Sequence, residues 1–89
     1  MKKLNLNFAI TDLDGKELIQ ANKLMANSLM GEKKGDSIKL FDWAMTLNKE
    51  GIIDVDASDL TKLKDITENS ESLAILAKAQ ILKYLATVK

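Results

Sequence analysis

The sequence predicts a small α+β domain with the element order ββααβαα, in which a small, mostly antiparallel sheet packs against about four helices. Apolar and polar residues alternate over positions 4–10, which is the period of a half-buried strand. Apolar residues at helical spacing recur in four later segments. With 89 residues, the chain is long enough for one small domain, spanning 1–89, with a thin hydrophobic core.

An N-terminal hairpin is predicted by the pair Asp14-Gly15, which follows the first strand. This pair is typical of a two-residue type I′ turn, because that turn requires positive φ at both central positions. The turn would place Ile10 opposite Ile19 and give both strands an apolar face. The short β-branched segment "IIDVD", residues 52–56, is expected to be the third strand of the same sheet.

Two helices are expected between the hairpin and the third strand. Residues 20–31 carry an apolar stripe on one side, whereas residues 37–49 carry apolar side chains around most of the helix circumference. A helix this apolar lies either in the core or at an interface. We expect this second helix to occupy central space in the core with Phe41 and Trp43.

The segment "DVDASDLTKLKD", residues 54–65, resembles a calcium-binding loop at first reading. Such a loop requires Gly at its sixth position and a bidentate Glu at its twelfth, where this chain has Asp59 and Asp65. The alternative is a helix start in which Asp56 caps the helix and Asp59, three residues later, completes a capping-box-like pair. We predict the cap and no metal.

A second set of carboxylates surrounds the predicted hairpin turn, which places Asp12 opposite Glu17. These two residues and Asp14 are candidate ligands for a divalent cation, as are Asp54 and Asp56 in the later loop. Turn chemistry alone accounts for Asp14 beside a glycine. We therefore predict no bound metal and no cofactor, and keep the five carboxylates as the candidates for the alternative.

The last helix, predicted over residues 71–89 after a cap at Asn69 or Ser70, carries apolar side chains on two sides. An outer helix of a small domain needs only one apolar face. In a monomer the second row would face water, and soluble monomers rarely tolerate a large exposed apolar patch. We therefore predict that this row forms a two-fold interface between two copies. The alternative is that the helix runs through the middle of the fold, with the sheet on one side and helices on the other. The predicted interface residues are Ile75, Leu82, Leu85 and, from the first helix, Met30.

The composition argues against several functional classes. The chain contains no His and no Cys, which excludes His-based nucleophile systems and zinc sites made of these ligands. We therefore expect no enzyme. Thirteen basic residues balance thirteen acidic ones, so we expect neither nucleic acid nor membrane as a partner. The sequence has no continuous apolar run typical of a signal peptide or a membrane span, and the cytoplasm is the expected location.

Four segments together resemble short proteins encoded in tailed-phage and prophage gene clusters: "LNLNFAITDLDGKEL", "KGDSIKLFDWAMTLNK", "DASDLTKLKDITEN" and "LAILAKAQIL". In that group a hairpin with an Asp-Gly turn precedes a Lys-Gly-Asp loop, a Trp-bearing helix and an Ala/Leu-rich final helix. The similarity spans most of the chain and supplies no catalytic residues. It implies a virion-assembly or accessory role inside the host cell or in the virion.

The expected function is a non-enzymatic protein-interaction module. Its partner is a second copy of itself, as a homodimer, or another phage or host protein. The alternative is a small domain that binds a ligand or a divalent metal through the carboxylates named above.

Overall fold

The computed structural model describes residues 1–88, which form four strands and four helices. The strands are β1 Lys2–Asn5, β2 Ala9–Thr11, β3 Glu17–Gln20 and β4 Ile52–Val55. The helices are α1 Ala21–Met30, α2 Ser37–Lys49, α3 Ala57–Asn69 and α4 Ile75–Thr87. The α+β class and the predicted order of hairpin, two helices, strand and two helices are confirmed. The long first strand of the prediction is divided into β1 and β2.

The division of the first strand separates the strands into two sheets of two, where one sheet was expected. β1 pairs with β4 in antiparallel register, and β2 pairs with β3. Between β1 and β2, Asn5 Oδ1 accepts the backbone N–H of Asn7, and Asn7 Nδ2 donates to the Glu50 carbonyl. The Asn5–Asn7 bond is of the local kind that competes with a sheet ladder. Together with the Asn7–Glu50 bond, it turns the chain out of the first sheet before β2 begins.

The register of the hairpin agrees with the prediction in its inner part only. Ile10 lies opposite Ile19, as expected. A register shift follows between Ile10 and Thr11, so that Glu17 lies opposite Thr11. The predicted pairing of Asp12 with Glu17 is therefore wrong, because an irregularity in one strand displaces all later partners by one residue.

Helices α1 and α2 form an antiparallel pair that is joined by side chains near the end of α2. Asn22 Nδ2 donates to the Leu47 carbonyl at 2.8 Å, and Lys23 Nζ donates to the Asn48 carbonyl at 2.8 Å. The last carbonyls of a helix have no partner within it. These α1 side chains satisfy two of them, so the relative position of the two helices is set by hydrogen bonds as well as packing.

Helix α4 connects the two sheets to the helices. The Tyr84 hydroxyl accepts the backbone N–H of Asn5 at the end of β1, and the Gln80 side chain binds Thr11 in β2. The core draws on every strand and helix except β3, whose residues are all exposed. The larger side chains with less than 2% exposure are Leu4, Leu6, Ile10, Met25, Leu29, Leu47, Leu63, Ile81, Leu85 and Val55.

The start of α4 differs from the prediction. The helix begins at Ile75, its N-cap residue is Ala74, and no side chain caps it. The predicted caps are wrong because Asn69 closes α3 and the Ser70 hydroxyl is bonded to two other serines. The predicted helix runs to residue 89, which lies outside the described residues. Within residues 1–88, no helix is long and apolar enough to cross a membrane.

Candidate protein-interaction surface

The predicted interface row on α4 does not exist as a continuous surface. Leu85 is fully buried, Leu82 is half-buried, and only Ile75, at 81% exposure, faces solvent. The prediction is therefore wrong for Leu85, which cannot contact a partner. The reason is that α4 packs against α3 on one side and β2 on another, so side chains on both of its apolar sides pack within a single chain.

Three exposed apolar side chains lie on α2 instead, and a separate group lies on the hairpin, at Leu13, Leu18 and Ile19. Ile38, Phe41 and Met45 are 76%, 51% and 59% exposed. Their spacing of three and four residues places them on one face of the helix. Trp43 is buried as predicted, but the prediction that Phe41 also lies in the core is wrong. The opposite side of α2 already fills the available space, with Leu40, Trp43, Ala44 and Leu47 buried.

Met30 extends this face onto the end of α1. It is 48% exposed, and the antiparallel packing of α1 on α2 brings it beside Phe41. Both residues line a notch of about 200 Å³. The complete lining of the notch is Leu29, Met30, Glu32, Lys33, Lys34, Ser37, Leu40 and Phe41. We refer to Met30, Ile38, Phe41 and Met45 as the α2 surface.

The sequence contained a signal for the α2 surface. A helix of 13 residues with apolar side chains around most of its circumference, in a chain of 89 residues, has more apolar area than one small core can cover. From the sequence alone, such a helix fits either the core or an interface. Only Met30 among the predicted interface residues lies on the exposed face that the structure reveals.

Helix α2 is held in place by its polar side. Lys39 Nζ lies 2.6 Å from Asp59 Oδ1 at the start of α3 and 5.2 Å from the centre of the Trp43 ring. Asp59 is only 6% exposed. The hydrogen bond from Lys39 holds the pKa of the Asp59 carboxyl below its usual range, although burial opposes this shift. The same bond raises the pKa of the Lys39 ammonium.

The segment that resembles a calcium-binding loop, residues 54–65, contains the capped start of α3. Asp59 N–H donates to Asp56 Oδ1 at 2.7 Å, and Asp56 N–H donates to Asp59 Oδ2 at 3.3 Å. These reciprocal bonds form a capping box. The predicted cap at Asp56 is confirmed. The Asp56 carboxylate binds the end of the helix, and the Asp59 carboxylate also binds Lys39.

The carboxylates at the hairpin turn also have structural partners. Asp12 Oδ1 accepts the backbone N–H groups of Asp14 and Lys16, each at 2.9 Å. Gly15 has a φ of +87°, and within residues 1–88 positive φ occurs only at glycines. The predicted positive φ at Gly15 is therefore confirmed. The predicted type I′ turn is wrong, because Asp14 would also need a positive φ.

The five candidate metal ligands do not converge on one point. Asp12 and Asp56 bind backbone N–H groups, and Asp54 lies 3.9 Å from Lys3 on the surface. Asp14 and Glu17 are exposed near the hairpin tip. Across the described part of the chain, no three acidic, His or Cys side chains are grouped so that they could hold a metal ion.

A polar groove lies between the end of α1 and the α3–α4 connection, and sequence reasoning did not find it. Its volume is about 740 Å³. The buried hydroxyl of Ser28 lies 3.0 Å from that of Ser70, which in turn lies 3.0 Å from that of Ser72. Its lining consists of Ser28, Gly31, Glu32, Lys33, Lys34, Asn69, Ser70, Glu71 and Ser72. Positive and negative side chains balance along its walls.

The geometry therefore offers an exposed apolar face on a firmly held helix and a polar groove. Comparison of the chain with protein-family models, with curated proteins and with solved structures finds no match.

Proposed function

We propose that the chain is a non-enzymatic protein-interaction module whose contact face is the α2 surface. The observation that carries this proposal is the exposure of Ile38, Phe41 and Met45 on one side of a single helix. Scattered apolar side chains are normal on a protein surface, but a contiguous apolar patch is typical of an interaction site. Aromatic residues and Met are also enriched at interfaces relative to the rest of the surface.

The area of the α2 surface supports the same interpretation. Four large apolar side chains that are each about half exposed or more present several hundred Å² of apolar area, by the scale of known surface patches. Removal of such an area from water contributes about 25 cal/mol per Å². That contribution offsets part of the entropy that two proteins lose when they associate.

For the biological setting we propose an accessory or assembly role in a tailed phage or prophage, within the host cell or the virion. The support for this setting is the resemblance of four segments of the chain to short proteins of such gene clusters. The partner is then a second copy of the chain, another phage protein or a host protein. Neither nucleic acid nor membrane is proposed as a partner, since the net charge is zero.

Site-specific photocrosslinking tests the contact face. A photoreactive aromatic residue replaces Phe41 in cells that also express the proteins encoded beside this gene, and a matched variant carries it at Glu68, which is exposed on α3. We expect a discrete adduct from position 41 and none from position 68. If position 41 yields no adduct, or if both positions yield the same ones, the α2 surface is not an interaction site.

A second candidate function, a small-ligand domain, is favoured by the polar groove. Lys33 and Lys34 offer donors and Glu32 and Glu71 offer acceptors, so the groove suits a small polar or zwitterionic molecule. Chemical-shift mapping with inorganic phosphate and with glycine tests it. Saturable shifts confined to the groove, including the Ser72 amide, would support this function, and their absence for both probes would remove it.

A further inference from the structure

We propose that the α2 surface is self-complementary and that a second copy of this chain occupies it. In this arrangement the two α2 helices lie antiparallel about a two-fold axis that passes between Phe41 and Met45. This inference rests on the proposed function, because it names the partner of the same surface. It replaces the predicted dimer through α4, which the burial of Leu85 contradicts.

The α2 surface has both a protruding side chain and a recess for the equivalent side chain of a second copy. Met45 protrudes from it with 59% of its area exposed, and the notch of about 200 Å³ lies one helical turn away, between Met30, Leu40 and Phe41. In a two-fold interface each copy supplies a residue and receives the equivalent residue of the other. Antiparallel α2 helices place Met45 of each copy at the notch of its partner. The flexible Met side chain is suited to filling an irregular space.

The dipoles of the two α2 helices favour the antiparallel orientation. The helix begins with the carboxylate of Asp36 as its N-cap and carries the basic Lys49 in its last turn. When two α2 helices lie antiparallel about this axis, Asp36 of one copy approaches both Lys49 and the exposed Glu50 of the other, so these side-chain charges largely cancel. The helix dipoles attract in the same orientation. With a net charge of zero, the two copies have no overall repulsion to overcome.

A residue close to the proposed axis opposes this arrangement and thereby provides a signature for it. Asp42 is exposed and follows Phe41 directly, so it lies close to the proposed axis. A two-fold operation brings Asp42 near its own copy, and like charges repel at that distance. Removal of this charge must then tighten the association, and added salt must weaken the repulsion. A different protein on the same surface has no reason to present a carboxylate at that point.

The size of the surface sets the expected affinity. A stable interface buries about 800 Å² per partner, whereas the four apolar side chains supply several hundred Å² and polar neighbours must supply the remainder. Interfaces at the low end of this range are transient. We therefore expect a dissociation constant on the order of micromolar.

Sedimentation equilibrium of the purified chain, from about 1 μM to several hundred μM so that the expected range is spanned, tests the proposal. We expect the mass to rise from 9.9 kDa towards twice that value. Phe41→Glu and, independently, Met45→Glu should remain monomeric, and far-ultraviolet circular dichroism verifies that each is folded. Ile75→Glu is the matched control, since it alters an apolar residue of 81% exposure on α4 and should dimerise normally. Asp42→Asn should tighten the dimer severalfold at low salt.

Three results would overturn the inference. The first is a wild-type chain that stays monomeric over the whole concentration range. If position 41 still crosslinks to a different protein, the proposed function survives and only the second copy is excluded. The second is dissociation by Ile75→Glu to the same extent as by Phe41→Glu. The third is a dimer whose affinity is unchanged by Asp42→Asn, which excludes the antiparallel two-fold arrangement.

Discussion

The side chain of Gln80 pairs with both backbone polar groups of Thr11. The Thr11 N–H donates to Gln80 Oε1 at 3.0 Å, and Gln80 Nε2 donates to the Thr11 carbonyl at 2.7 Å. The amide thus takes the place of a neighbouring strand along the open edge of β2. Unpaired strand edges are templates for unwanted pairing with other chains, and covering them is a common protection. Here one glutamine covers the edge and joins α4 to the hairpin.

We predict that Gln80→Ala destabilises the fold by about 1–3 kcal/mol, because it leaves two part-buried backbone groups without partners. Gln80→Glu retains the acceptor for the Thr11 N–H but sets a carboxylate oxygen against the Thr11 carbonyl, so it should also destabilise the fold. Urea denaturation followed by circular dichroism measures both changes. Lys83→Ala, at an exposed position on the same helix, is the control. Equal stability of Gln80→Ala and Lys83→Ala would show that the pairing contributes nothing.

Gly51→Ala should destabilise the fold by about 1–3 kcal/mol. Gly51 has a φ of +78°, and an added Cβ would collide with the side-chain amide of Asn7. Gly31→Ala is a matched control, since that residue has a φ of −84° and a Cβ there meets only ordinary contacts. Thermal unfolding compares the two variants. Gly51→Ala should cost less in an Asn7→Ala background than in the wild-type chain, because the collision is removed, and an equal cost in both backgrounds would mean that backbone strain alone is responsible.

Removal of the α3 cap by Asp56→Ala should reduce the free energy of unfolding by about 0.5–2 kcal/mol. The loss should be the same with calcium and with a chelator, because the Asp56 carboxylate binds the Asp59 N–H. Asp54→Ala is the control, since its 3.9 Å approach to Lys3 is a surface contact of little energetic weight. A loss that appears only in the presence of calcium would instead identify a metal site in this loop.

The Lys39–Asp59 pair should make the free energy of unfolding fall at both acidic and alkaline pH. The pKa of Asp59 lies below its ordinary value of 3.8, so the contribution of this group is full above that value and is lost as pH falls through the lowered pKa. The pKa of Lys39 lies above its ordinary value of 10.5, so its contribution is full below that value and is lost as pH rises through the raised pKa.

Thermal unfolding as a function of pH tests both decreases. Asp59→Asn should lower the melting temperature at neutral pH and flatten the dependence on pH in both the acidic and the alkaline range. Asp65→Asn, an exposed carboxylate on the same helix, is the matched control and should retain both decreases. If the two variants show the same pH profile, the pair does not govern the pH dependence.

The sequence alone determined the features that depend on neighbouring residues. The helical spacing of apolar residues located four helices, and Asp56 followed by Asp59 located a capping box. Gly15 identified a point of positive φ. These features can be predicted from the sequence because a cap, a turn or a helix stripe is stabilised by groups within a few residues of each other. For the α2 surface, the sequence showed only an excess of apolar residues on that helix and did not show which face is exposed.

The tertiary structure alone decided how these elements share the available space. The first strand breaks where Asn7 binds the Glu50 carbonyl, a partner 43 residues away that no local pattern reveals. Helices α2 and α4 are both apolar on more than one side, and the sequence cannot rank their faces. The contacts of α4 with β2 and α3 bury Leu85 and leave Phe41 on α2 exposed. The physical reason is that a small core holds a limited volume, and the packing of distant segments decides which apolar face lies outside it.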